Sequence, residues 1–324
     1  MPTRRRALLA LATMPFAVPA LAAGYPDRPV RLLVPYAPGG NSDTTARIVA
    51  PRMSERLGQT IVVENRAGAG GSVGAMQVAR ARPDGYTLLM GSNGPLTVNP
   101  FVQPNLAYDP AKDFAPVGLL VRTPLTVTVH RALPVHSVTE LIAYAKANPG
   151  RVGIGSSGVA SISHLAIEVF NAATGAGLTH VPYGSGGALT PDLISGTVAG
   201  AFTEISTALP LHREGAVRIL AVASTRRLAQ APEIPTVQEA GVPGYRAAAF
   251  LGLVVPTGTP AEVVGTLQAA LAAALADAEV RKRLEELGSE VASAEEATPE
   301  GYAAFLRQET EWTRAAAQRA GLRS

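Results

Sequence analysis

The chain has 324 residues, 47% of them hydrophobic and 16% charged, so it is long enough for two domains and apolar enough to bury substantial cores. Its 28 basic residues barely exceed its 25 acidic ones, which removes the electrostatic footing of a nucleic-acid binder. Cysteine is absent, which excludes disulfides, thiol catalysis and cysteine metal sites.

The opening MPTRRRALLALATMPFAVPALAAG sets three arginines before an uncharged apolar run and closes on small residues. That layout predicts a secretory signal peptide over residues 1–23, cleaved after Ala22 or Ala23. Pro15, Pro19 and the shortness of the run argue against a retained membrane span. Loss of Arg4, Arg5 and Arg6 takes the 28 basic residues to 25, equal to the 25 acidic ones.

Apolar runs then alternate with helical patterns. VRLLVPY, TIVVEN and YTLLMGS read as strands, separated by helices expected over 43–57 and 72–81. Next come LTVTVH, the capped helix SVTELIAYAKANP, VGIGSSG, the helix SISHLAIEVFNAATG, LTHVPYG, a helix over 187–195, VAGAFTEI and VRILAVAST. Strand–helix repetition at this spacing indicates parallel βαβ units, and two such series imply an α/β protein of two lobes with a crevice between them. Residues 226–260, rich in Pro and Gly, read as a crossover, followed by the strand LGLVVP, one long helix over 260–288 and a last helix over 298–320.

Several stretches carry chemistry. In VPYAPGGNSDTTAR, Gly39 and Gly40 let backbone N–H groups approach a ligand at a helix start, and Asp43 is placed to cap that helix. Residues 68–75, GAGGSVGA, fit the G-x-S-x-G elbow of a serine hydrolase with Ser72 as nucleophile, and loosely a dinucleotide loop. They also suit a glycine turn on which lobes close. His164 and Glu168 lie one helical turn apart, as a hydrogen-bonded pair, a ligand contact or half a metal site. His130 and His136 flank a turn that faces solvent, and Tyr36 and Tyr183 line either a pocket or a core.

Taken in order, VPYAPGGNSDTTAR, ENRAGAGGSVGA, PDGYTLL, GSSGVASISHLA, VPYGSGGA and PEIPTVQEAGVPGY resemble the Bug family, the extracytoplasmic solute-binding proteins of tripartite tricarboxylate transporters. The resemblance covers essentially the whole mature chain. It implies a two-lobed periplasmic binding protein fold of type II, with the ligand cleft between two α/β domains. One domain would comprise 24–124 and 236–324, the other 125–235. It further implies a periplasmic monomer without catalytic activity or cofactor, which binds a mono- or dicarboxylate or related organic anion and delivers it to membrane permease subunits. The first lobe would offer Tyr36, Ala37, Pro38, Gly39, Gly40, Asn41 and Asp43, with Ala69, Gly70, Ser92 and Asn93. The second would offer Ser156, Ser157, Gly158, Ser161, His164, Tyr183, Gly186, Gly187 and Ala188. Glu204 stands where many relatives carry an aspartate.

An anion in such a cleft would meet N–H groups at the helix after Gly40 and at a second helix start near Ser161 or Gly187. Each helix end contributes up to about 2 kcal/mol, whereas micromolar affinity requires roughly 8 kcal/mol. Serine hydroxyls, charge-assisted hydrogen bonds and trapped water would supply the rest. No lysine lies in these loops, so recognition is expected to be carried by the backbone.

Overall fold

The computed structural model describes residues 24–103, 105–159, 161–319 and 321; the expected signal peptide lies outside the described residues. The first lobe begins as a βαβαβ unit: β1 (Val30–Val34), α1 (Asn41–Leu57), β2 (Ile61–Asn65), α2 (Ser72–Ala79) and β3 (Thr87–Ser92). Two short helices, α3 (Asn99–Val102) and α4 (Pro110–Asp113), lead into the long strand β4 (Phe114–His130). The second lobe follows as α5 (Val138–Ala147), β5 (Gly153–Ser156), α6 (Ile162–Thr174), β6 (Thr179–Pro182), α7 (Gly186–Ser195), β7 (Gly200–Glu204), α8 (Ile205–Arg213) and β8 (Val217–Val222). The chain returns through β9 (Ala248–Pro256) to α9 (Ala261–Ala276), α10 (Ala278–Glu286), β10 (Glu290–Val291) and α11 (Pro299–Arg319).

The strands run β2-β1-β3-β9-β4-β7-β5-β6 across the molecule, with β8 and β10 also paired to β4. Within each lobe the inner strands are parallel, β2-β1-β3 in one and β6-β5-β7 in the other, as the βαβ pattern requires. Antiparallel pairing joins the lobes. The first part of β4 pairs with β9, from Phe114 against Pro256 to Pro124 against Ala248. From Leu125 the same strand pairs with β7 and β8 instead.

The sequence expectation placed only LTVTVH, from Leu125, in this strand; Pro116 and Pro124 lie in the stretch before it, where proline disfavours a ladder. The sheet accommodates Pro116 by slipping register before Gly118, a bulge. The single helix expected over 260–288 is also corrected: it breaks at Asp277, with a 71° bend between α9 and α10. Asp277 is extended, and its carboxylate accepts the Glu279 and Val280 N–H groups, so it starts a new helix instead of continuing the old one.

Each lobe has its own apolar core. Leu32, Leu33, Leu88, Leu89, Leu253 and Leu271 fill the first, while Leu125, Val127, Ile154, Leu165, Phe170 and Phe202 fill the second. The last helix serves both. Tyr302 and Phe305 pack into the first core, and Trp312, Ala316 and Ala317 into the second. Among the described residues no single helix is long and apolar enough to cross a membrane.

Candidate functional site

Where β1 ends, the chain turns through Gly39, whose φ of +83° is left-handed, and enters α1 from Gly40. Gly40 is the helix cap and offers no side chain, so the expected capping role of Asp43 is corrected. Asp43 lies inside the first turn. Its carboxylate accepts the Gly39 N–H at 3.0 Å, Asn65 Nδ2 at 3.1 Å and Arg47 Nε at 3.1 Å. Burial alone would push this carboxyl up, but those hydrogen bonds outweigh it and hold the group below its ordinary value. The carboxylate thus fixes the Gly39–Gly40 turn and leaves the first N–H groups of α1 without a side-chain acceptor.

Three helices of the second lobe start against the same point. Ser161 caps α6 by accepting the His164 N–H at 3.2 Å, and Ser185 caps α7 by accepting the Ala188 N–H at 3.1 Å. Glu204 occupies the cap position of α8 without making a capping bond. All three starts follow the carboxyl ends of strands, β5, β6 and β7 respectively, where open α/β sheets collect their ligands.

Between the lobes lies a small cavity, with about 30 Å³ open to the centre of a water molecule. Its walls are the start of α1 (Gly40, Asn41, Ser42, Asp43), Tyr36 and Ala37 before it, Ser92 and Asn93 after β3, and Ala249 and Leu251 of β9. The opposite wall is Ser157, Ser161, Ile162, Ser185, Gly186 and Glu204. No lysine, arginine or histidine lines it. A larger hollow of about 770 Å³ under α11 is mostly apolar and has no such convergence of backbone donors, so size alone does not choose the site.

The lobes touch along the cavity's rim. Ser206 Oγ donates to Asn41 Oδ1 at 3.0 Å across the gap. Gly187 is packed so closely on Gly39 that a Cβ there would stand 2.9 Å from the Gly39 carbonyl carbon, and one on Gly70 would stand 2.7 Å from the Val159 carbonyl oxygen. Inside, the buried Tyr36 hydroxyl accepts from Ser92 Oγ at 3.2 Å, and burial pushes this phenol well above its ordinary value. Asn93 is fixed to β9 by Nδ2 donating to the Ala248 carbonyl and Oδ1 accepting the Phe250 N–H.

Of the residues singled out from the sequence, the cavity gathers Tyr36, Ala37, Gly40, Asn41, Asp43, Ser92, Asn93, Ser157, Ser161, Gly186 and Glu204. The others stand off its walls. Gly39, Gly70 and Gly187 form the rim contacts, and Pro38 precedes Gly39 in the turn. Ala69 accepts from Gln103 Nε2, and the Ala188 N–H is held by the Ser185 cap. Ser156 is buried behind the wall, 2.5 Å from His180 Nε2, and its Oγ also accepts the Gly158 N–H. Tyr183 donates to Asp192 at 2.6 Å and faces a different hollow beside His130. His164 stacks on His180 with ring centroids 4.0 Å apart and lies 3.9 Å from Glu168. Burial, then the neighbouring His164, pushes His180 down to about 4. His164 and Glu168 face each other one helical turn apart, and among the described residues no group of three or more histidines and carboxylates is placed to hold a metal.

Ser42, Ile162, Ser185, Ala249 and Leu251 line the cavity without having been singled out. Ser185 had a readable signal, a serine directly before Gly-Gly at a helix start. The two β9 residues had none, since only the antiparallel return of β9 brings them there.

The hydrolase alternative fails on local geometry. Ser72 Oγ donates to Gln103 Oε1 at 2.8 Å and accepts from Asn99 Nδ2 at 2.7 Å, and neither partner can act as a general base.

Residues 45–322 match the tripartite tricarboxylate transporter family receptor family, TctC. Protein BugT of Bordetella pertussis is 35% identical over 300 residues, which is 92% of this chain and 91% of BugT. The periplasmic binding protein BugD superposes with a TM-score of 0.88 at 35% identity, over 92% of this chain and 99% of BugD. MatC (Rpa3494) from Rhodopseudomonas palustris, solved with bound malate, gives 0.87 at 35% identity, over 90% of this chain and 99% of MatC. These neighbours are solute-binding proteins and not enzymes. The two-lobed α/β chain, with its cavity of helix starts, belongs to the TctC family of tripartite tricarboxylate transporter receptors.

Proposed function

We propose that this chain is a periplasmic receptor that captures a small carboxylate, or a related organic anion, between its lobes and delivers it to the permease subunits of a tripartite tricarboxylate transporter. The observation that carries this reading is the convergence of four helix starts on one cavity without a basic side chain. At up to about 2 kcal/mol each, four termini reach the roughly 8 kcal/mol of micromolar binding only at their ceiling, so serine hydroxyls and trapped water supply the remainder and offset the costs of association. Two termini, as expected from the sequence, would fall short.

The lobes would be 24–124 with 236–324, and 125–235; the change of β4 pairing at Leu125 supports the division there. The rim contacts support a closed form that encloses the ligand, with opening at the β4–β9 crossing. The working unit would be a monomer, exported by the signal peptide over residues 1–23. The malate held by MatC supports a carboxylate as the ligand class. Native mass spectrometry of the purified protein tests the reading: a co-purified small organic acid is expected. A ligand-free protein that malate, succinate and adipate all fail to stabilise in thermal melts would refute it.

A further inference from the structure

Glu204 is the one charged group of the cavity that the proposed anion capture does not explain. It is 8% exposed, on the second-lobe wall, where the backbone pairing of Glu204 with Leu125 of β4 fixes its position. Its carboxyl accepts from its own backbone N–H and from the Thr203 hydroxyl, which donates to Oε2 at 3.3 Å, a long bond. The titratable groups facing it are few. Tyr36 stands across the cavity, and Asp43 on α1 is already paired with Arg47. From β4, α7 and α8 the neighbours are Leu125, Gly186 and Ile205, none of them ionisable. A bound carboxylate would therefore share a small, poorly hydrated space with a second carboxylate and no cation.

Two arrangements relieve such a clash: a cation on the ligand, or a proton on the acid. The helix starts decide between them. Four positive helix ends disfavour a ligand ammonium, and although Glu204 itself stands at the start of α8, a second carboxylate beside this buried acid raises its proton affinity, so the relief comes from a proton. Burial, which pushes the Glu204 carboxyl up, acts in the same direction.

Resting on the carboxylate-receptor reading, we propose that Glu204 closes over the ligand as the neutral acid and donates its O–H to a second carboxylate, which makes this chain selective for dicarboxylates over monocarboxylates. In the open form the group meets water and is ionised at neutral pH. Capture of a dicarboxylate takes one proton from solvent onto Glu204, shared along the O–H···O⁻ bond, and opening returns it. Affinity is then gained as pH falls from the raised value in the complex toward the value in the open protein. It weakens by about tenfold per pH unit across that window.

The test is titration calorimetry of the mature protein with succinate, malate, adipate, butyrate and 4-aminobutyrate between pH 5.5 and 8, in buffers of differing ionisation enthalpy. The expected result is uptake of close to one proton per dicarboxylate, a falling affinity with rising pH, and weaker binding of butyrate with a flat profile. Glu204→Gln, which donates without needing a proton, should flatten the profile and bind the preferred dicarboxylate about tenfold or more tighter than wild type at pH 8. A pH slope that persists in Glu204→Gln would place the proton on the ligand and overturn the inference. Preference for 4-aminobutyrate, equal binding of butyrate and succinate, or uptake of less than half a proton by the wild type would overturn it too, whatever the fate of the variant. In each of these cases the receptor reading survives. Binding of none of the five probes would remove both.

Discussion

Substituting Gly187 by alanine wedges the lobes apart without touching the cavity wall. A Cβ at this position would stand 2.9 Å from the carbonyl carbon and 3.0 Å from the carbonyl oxygen of Gly39, and 3.3 Å from the Gly40 nitrogen. All three are backbone atoms in a turn held by Asp43, so none can swing aside. Overpacking of this kind costs about 1–3 kcal/mol, which corresponds to a loss of roughly 5- to 150-fold in ligand affinity. The cost falls on the form in which the lobes meet. In the separated form an alanine in the first turn of α7 favours the helix over glycine by up to about 1 kcal/mol. Calorimetry with the preferred carboxylate should therefore show weakened binding, while the melting temperature of the ligand-free protein does not fall. Gly184→Ala is the control in the same loop, because a Cβ there meets nothing within 4 Å. Affinity of Gly187→Ala within twofold of wild type would refute the claim that this contact limits closure.

Two further substitutions probe the scaffold. Asp43→Ala removes the acceptor of Gly39, Asn65 and Arg47 and should destabilise by about 2 kcal/mol at pH 7. Because the folded protein lowers this carboxyl, its contribution is present above the ordinary aspartate value near ~3.9 and fades as pH falls through the folded value, so the gap between variant and wild-type melts should narrow below about pH 4. A gap that widens in acid would contradict this. The Tyr302 hydroxyl is fully buried without a partner, its ring lying over Gly252. Tyr302→Phe should raise stability by about 1 kcal/mol in denaturant melts, and a loss of that size would show that the hydroxyl is satisfied after all.

What the sequence made legible was the local physics. The alternation of apolar runs and helical periods led to two α/β series, and glycines beside a helix start pointed to the α1 turn. The first half of β4 was hidden for a physical reason: Pro116 and Pro124 disfavour a ladder, and only the bulge before Gly118 and the partner strand β9 make one. Non-local pairing also concealed Ala249 and Leu251, apolar residues whose place on the cavity wall depends on a strand returning from far along the chain. Gly39, Gly70 and Gly187 were recognisable as places of close approach, but the approach is of lobe to lobe at the rim. Tyr183 beside a glycine loop read equally as pocket wall or core, and its hydroxyl is taken by Asp192. The break at Asp277 was obscured by alanines on both sides, strong helix formers that masked a capping aspartate.

The C-terminal helix α11 has a mechanical consequence. It is locked at one end, where Tyr302 lies over the bare backbone of Gly252, and meets the second core at the other through the stubs of Ala316 and Ala317. Methyl groups interlock less than larger side chains do, so Trp312 is the large side chain that resists sliding at this end. Arg246 is poised 5.0 Å over the Trp312 ring and 3.7 Å from Glu309. A rotation of one core against the other would have to slide this end of α11 past the second core, where the indole, and not the methyl groups, would resist it.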